Sequence, residues 1–275
     1  MMRICELAPR DGIQVFRNFI PTDLKRELVD AISRSGIGEV HVTYFAHPRV
    51  IPQVSDAEKL CSLIERRPEV TYIGFVPNEV GLRRALHSGM DRISFFISAE
   101  ETENIRFFGR PRERMLEEFV AITKEARNSG KEVEGFVVRV MERENRDEAM
   151  RLAEALVRAG ISILYFSNFG IPVTPKEVND FFTTTLGKFP VEVGLHLYEE
   201  RENIPDIIDA ALDAGVRRFS TSAGGIGLRE IGGRRVALPP TELVAEKGNL
   251  NSVHMEEVLA VVERITKIVE PVGEL

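Results

Sequence analysis

Residues 22–44 read TDLKRELVDAISRSGIGEVHVTY. The first part places apolar residues three and four apart, which predicts an amphipathic helix over 22–35 with Thr22 as its cap. Gly36 stands where that helix must stop, because glycine enters the left-handed backbone region without a Cβ penalty. The second part is short, apolar and β-branched, and predicts a strand over 38–44. The same helix–glycine–strand join returns at SGMDRI (88–93), SGKEVE (129–134), AGISIL (159–164) and AGVRRF (214–219).

Working outward, strands are expected at 3–7, 38–44, 70–75, 91–97, 132–138, 161–166, 190–196 and 217–221. Helices are expected between them, including 112–129, 145–159 and 203–214, with Ser55 and Asn145 as further caps. Eight strands alternating with helices predict a single α/β domain, a (β/α)8 TIM barrel over residues 1–275. A dinucleotide fold would carry G-x-G-x-x-G after the first strand, and Ala8-Pro-Arg-Asp-Gly12 is not that.

Composition narrows the class. The 275 residues carry 36 Lys+Arg against 43 Asp+Glu, a net charge of -7, with no basic block to neutralise phosphates, so nucleic acid is not expected as a partner. Two cysteines are no disulfide framework, and no apolar run reaches the length of a membrane span or a signal peptide. A cytoplasmic protein handling a small molecule, without membrane association, is the expectation. The Phe-rich pieces at 95–96, 107–108 and 181–182 suit a core or the face of a homodimer.

In such barrels the chemistry gathers where the strands end. The first strand runs into Glu6-Leu-Ala-Pro-Arg10-Asp11-Gly-Ile-Gln14, four polar groups at one strand end. Alone, Arg-Asp-Gly is good turn chemistry. The longer string E-x-x-P-R-D-G-I-Q resembles the first-strand signature of the HMG-CoA lyases, within the metal-dependent DRE-TIM lyase barrels that include isopropylmalate synthase and the carboxyltransferase domain of pyruvate carboxylase. Val42–Gln53 (VTYFAHPRVIPQ), Phe75–Asn78 (FVPN), Val173–Pro175 and Gly248–Leu250 (GNL) resemble further elements of that family in order and spacing.

The resemblance implies metal-assisted retro-Claisen or retro-aldol cleavage of a hydroxyacyl substrate, CoA-linked in the family. A divalent cation, Mg²⁺ or Mn²⁺, would be held by Asp11, His196 and Asn249. Arg10 would stabilise the enolate, with Glu6 as the acidic residue four positions earlier. Gln14, Arg49 and Asn168 are the expected substrate contacts. Several positions depart from the pattern: Tyr198 stands where the second histidine of H-x-H belongs, His41 replaces a glutamate, and Asn168 replaces an aspartate. The loop Ala223–Arg229 lacks the family's cysteine. Tyr198 is then read as a proton donor or weak ligand, and His41, titrating near neutrality, as a substitute acid/base. The glycines at 224, 225 and 227 could cradle an anion with their amides. Two other functions are open: a synthase condensing an acyl-CoA with a 2-oxo acid, although such enzymes carry further C-terminal domains, and a non-catalytic homologue that binds a metabolite or partner.

Overall fold

The computed structural model describes residues 2–268; the ends of the expected domain, residues 1 and 269–275, lie outside the described residues. Eight parallel strands pair in sequence order: β1 (Arg3–Glu6), β2 (Glu39–Tyr44), β3 (Thr71–Phe75), β4 (Arg92–Ser98), β5 (Glu132–Val138), β6 (Ile163–Ser167), β7 (Glu192–His196) and β8 (Arg218–Thr221). The sheet closes where β1 meets β8, Arg3 opposite Arg218 and Glu6 opposite Thr221. The connecting and flanking helices are α1 (Thr22–Arg34), α2 (Ala57–Leu63), α3 (Glu79–His87), α4 (Glu101–Phe108), α5 (Arg112–Asn128), α6 (Arg146–Ala159), α7 (Pro175–Thr185), α8 (Ile204–Asp213), α9 (Thr241–Lys247) and α10 (Glu256–Ile268). The architecture is the expected TIM barrel, and every expected strand lies within two residues of its place.

The five predicted stop glycines all take positive φ: 91° at Gly36, 72° at Gly89, 73° at Gly130, 109° at Gly160 and 98° at Gly215. The caps differ. Pro21 and Asp56 precede α1 and α2 in place of Thr22 and Ser55, and Asn145 makes no side-chain capping bond. Proline fixes its own φ and lacks an N–H, so it enters a helix without a hydroxyl cap.

Two cores follow from strand alternation. Residues facing out, such as Ile93, Phe95 and Phe219, pack against the helices, with the rings of Phe95 and Phe119 stacked at 4.3 Å. Residues facing in, including Cys5, Ile73, Phe75, Phe136 and Tyr165, fill the barrel. The entry ends of the strands add a buried ionic floor: Arg92 Nη1 and Arg218 Nη1 lie 3.1 and 2.5 Å from Glu39 Oε2. A hairpin of β9 (Arg229–Ile231) and β10 (Arg234–Val236) turns on Gly232-Gly233, both at positive φ as a two-residue turn of the favoured twist requires. Among the described residues no helix is long and apolar enough to cross a membrane.

Candidate active site

A cavity of about 500 Å³ opens at the C-terminal ends of the strands. Its polar lining includes Arg10, Asp11, Gln14, His196, Tyr198 and Arg229; its walls are aromatic, among them Tyr44, Phe75, Phe96, Phe107, Phe136 and Phe169. Asp11 is the hub. It sits on a one-turn π-helix, Ala8–Gly12, that begins directly after β1 and wraps its amide back onto Leu7 O at 2.7 Å. Arg10 Nη1 and Gln14 Nε2 donate to Asp11 Oδ1 at 2.8 and 2.6 Å. The Tyr198 hydroxyl donates to Oδ2, as does Arg229 Nη2 at 3.0 Å. Burial opposes the charge of Asp11, but Arg229 and Arg10 outweigh it and hold the carboxyl well below its usual range.

Arg229 reaches this point because the Gly-rich loop presses on the first turn. A Cβ on Gly227 would fall 2.7 Å from Gly12 Cα, and one on Gly12 would fall 2.8 Å from Ile226 Cγ2, so both positions need glycine. Two residues on, Arg229 lies with its Cζ 4.8 Å from the Tyr198 ring centre. Sequence reasoning placed Arg229 in the loop but assigned it no role. The available signal was Arg-Glu-Ile-Gly-Gly-Arg-Arg-Val (229–236), two short runs about a Gly-Gly turn, which marks a hairpin at the barrel mouth.

His196 ends β7, its ring edge-on to Tyr198 at 4.9 Å, with Nδ1 2.6 Å from Ser220 Oγ. Burial lowers its pKa to about 3, against the pull of Asp11 and with the push of Arg10 and Arg229, so the imidazole is neutral. Burial, helped by the nearby Asp11 charge, likewise pushes the Tyr198 phenol well above its usual value and keeps it protonated.

Five residue expectations are corrected. His41 is fully buried and absent from the cavity lining; its Nε2 bonds Glu134 Oε1 at 2.6 Å while Nδ1 accepts from Arg10 Nε at 3.4 Å, so it positions Arg10 from beneath. Glu6 also lies outside the cavity, accepting from the Ala8 and Ala223 amides and from Thr241 Oγ1. Asn168 is buried behind Tyr198, its amide group bonded to both N and O of the Tyr198 backbone. Asn249 is exposed after α9, and the adjacent Gly248 packs on Met2, which precedes β1, so it lies at the opposite end of the barrel from Asp11. Arg49 is exposed near the rim and is not part of the lining. Nor do the amides of 223–225 form an anion cradle: Ala223 N donates to Glu6, Gly224 N to Glu242 and Gly225 N to Ser222 O.

Burial raises the Glu6 pKa to about 7 from its ordinary 4.5, despite the three bonds to its carboxylate. Between these values the folded chain keeps a proton that the unfolded chain has released, so stability falls as pH rises through about 7. Glu6→Gln keeps an acceptor for the two amides and removes the titration. From about pH 5 to about pH 8 the wild type is expected to lose roughly 2–3 kcal/mol of unfolding free energy relative to the variant in urea titrations. A constant difference across that range would contradict the assignment.

The donors around the cavity do not assemble the expected metal centre. Asp11 and His196 face the same cavity, but the third expected ligand is at the far end. Among the described residues one trio of His, Cys, Asp or Glu donors lies within 4.8 Å: Cys5, His41 and Glu134, all buried beneath Arg10. His41 and Glu134 already bond each other. Glu134 is shared between His41 and Arg92 at 2.6 and 3.4 Å, and burial pushes the Cys5 thiol well up, away from thiolate. The expected centre of Asp11, His196 and Asn249 does not fit.

A (β/α)8 barrel with its ionic pocket at the C-terminal strand ends defines the class: an enzyme-type barrel. The HMGL-like family model matches residues 1–268, and the chain belongs to that family. It is 30% identical over 230 residues to the hydroxymethylglutaryl-CoA lyase YngG of Bacillus subtilis, covering 82% of this chain and 77% of the relative. It is 28% identical over 232 residues to the mitochondrial hydroxymethylglutaryl-CoA lyase of Bos taurus, covering 82% and 71%. The crystal structure of the Bacillus subtilis HMG-CoA lyase superposes with a TM-score of 0.88 at 27% identity over 97% of this chain and 93% of the other.

Proposed function

We propose that the protein is a carbon–carbon lyase that cleaves a 3-hydroxyacyl anion into a carbonyl compound and an enolate. The observation that carries this reading is the convergence of Arg10, Asp11, His196 and Tyr198 on one cavity floor; family membership and the lyase relatives support it. The substrate's carboxylate or thioester carbonyl lies against the Arg10 guanidinium, whose Nε is fixed by His41 and whose Cζ sits over the Phe75 ring, 4.2 Å from its centre. His196 Nε2 takes the hydroxyl proton. The carbon–carbon bond then breaks; its electron pair moves into the enolate that Arg10 stabilises, and the hydroxyl oxygen becomes a carbonyl. The Tyr198 hydroxyl gives its proton to the enolate carbon and recovers one from the adjacent His196. This supplies the donor that the cysteine-free loop does not. Both cysteines are buried away from the cavity lining.

A CoA thioester is the first substrate form to assay, given the relatives, and cytoplasmic placement and a homodimer remain part of the proposal. The test is a cleavage assay on HMG-CoA and other 3-hydroxyacyl thioesters and free acids, following the carbonyl product. Cleavage that falls about 100-fold or more in Arg10→Gln, which removes the oxyanion donor, supports the reading. No cleavage across the panel favours the non-catalytic binding homologue, and condensation with a 2-oxo acid favours the synthase.

A further inference from the structure

We infer that the Arg229 guanidinium takes the place of a divalent cation at Asp11, so that this site grips an anionic ligand between two arginines without a metal. The inference rests on the cavity being the substrate site, as proposed above, and on the accounting of lone pairs around one carboxylate.

An ionised carboxylate has about four acceptor positions. All four on Asp11 are taken: Oδ1 by Arg10 Nη1 and Gln14 Nε2, Oδ2 by Tyr198 and Arg229 Nη2. Arg229 Nη2 also donates to the Asp11 backbone carbonyl at 3.0 Å, so the guanidinium is tied to both the side chain and the main chain of the hub. A cation needs a free lone pair from each ligand, and here it would have to displace Arg229. In the unliganded site the Tyr198 hydroxyl directs its proton to the same carboxylate, and a protonated phenol is a poor ligand for a cation. Of the two cavity-facing ligands expected for a cation, only His196 keeps a free donor, Nε2, and a single imidazole is a poor seat for a hard cation that prefers several oxygens.

Charge points the same way. The floor holds two guanidiniums against one carboxylate, a surplus of one positive charge before any ligand enters. Adding a divalent ion would raise that surplus to three in a buried site, where like charges repel strongly. Arg10 Nη2 and Arg229 Nη1 make no hydrogen bond among the described residues, and both arginines line the cavity, so each presents a donor to an incoming oxygen. A planar fork of N–H groups suits a carboxylate or an enolate oxygen in two-point contact. Loop geometry fixes the fork: the contact of Gly227 with Gly12 sets the distance from Arg229 to Asp11.

The test uses the full chain stripped with EDTA and probes it separately with Mn²⁺, by electron paramagnetic resonance, and with malonate, by calorimetry. Malonate is expected to bind equally well with and without EDTA, and Mn²⁺ is expected to show no stoichiometric binding at sub-millimolar concentration. Arg229→Met should weaken malonate at least about tenfold, the loss of a charge-assisted two-point contact. Arg229→Lys, which keeps charge and bulk, guards against misfolding and should lie between the two. Stoichiometric Mn²⁺ binding that Asp11→Asn abolishes, malonate binding that requires Mn²⁺, or no malonate binding at all overturns the inference. Cleavage that depends on Mn²⁺ would leave the lyase reading standing and remove this one. Metal-free malonate binding without any cleavage would do the reverse.

Discussion

Replacing His196 with glutamine is expected to lower kcat about 100- to 10,000-fold, the range for loss of a positioned general base. The His196 imidazole is placed to act as a neutral base beside the hub: Asp11 is saturated by donors, Tyr198 is held protonated, and His41 and Glu6 lie outside the lining. Its environment also shapes the pH profile. Burial, joined by Arg10 and Arg229, lowers the pKa to about 3, so the free protein keeps this base unprotonated far below the ordinary histidine range. kcat/KM should therefore stay level from about pH 8 to about pH 5, where an ordinary histidine base would already have cost activity. A bound anion neutralises the two arginines that depress the imidazole, so the acid limb of kcat should lie at higher pH than that of kcat/KM. A variant within about threefold of wild type, or a kcat/KM inflection near 6.5, would remove His196 from the role of base.

Arg218→Ala is expected to cost about 3–5 kcal/mol of unfolding free energy, the loss seen when one partner of a buried ion pair is removed. The Arg218 side chain is 3% exposed and holds Glu39 at 2.5 Å and Glu192 at 2.5 Å. Without it, buried Glu39 keeps only Arg92 at 3.1 Å. Arg3 offers the control. It also pairs with Glu192, at 2.9 Å, but with both side chains about half exposed, so Arg3→Ala should change stability by about 1 kcal/mol or less. The double replacement Glu39→Met with Arg218→Met should recover much of the single-variant loss, because it leaves fewer uncompensated charges. Urea titrations at constant slope decide the matter; a double variant no more stable than Arg218→Ala would contradict the explanation.

The barrel was legible because its punctuation is local. A glycine at positive φ between an amphipathic run and a β-branched run is a property of six or seven consecutive residues, and five copies fixed the alternation. The cavity lining was legible at Arg10, Asp11, Gln14, His196 and Tyr198, all of which follow or end a strand. It was not legible where the answer depends on depth or partner. His41 ranks with His196 by type and by strand, yet lies below the arginine it holds. The glycine loop has the composition of an anion cradle, yet the amides of Ala223, Gly224 and Gly225 are consumed by Glu6, Glu242 and Ser222. Asn249 matches a motif in sequence but stands at the other end of the barrel, since a few residues of loop decide which end a side chain serves.

The backbone contact between Gly12 and Gly227 has a consequence for how such a site can diverge. The two loops touch where neither chain has room for a methyl group, and that contact carries Arg229 to the carboxylate. A single added carbon at either position would push the loops apart and withdraw the guanidinium, baring two lone pairs of Asp11 to whatever cation the solvent offers. The choice between a covalently tethered positive charge and an exchangeable one thus hangs on a hydrogen atom at two alpha carbons, neither of which lines the cavity itself.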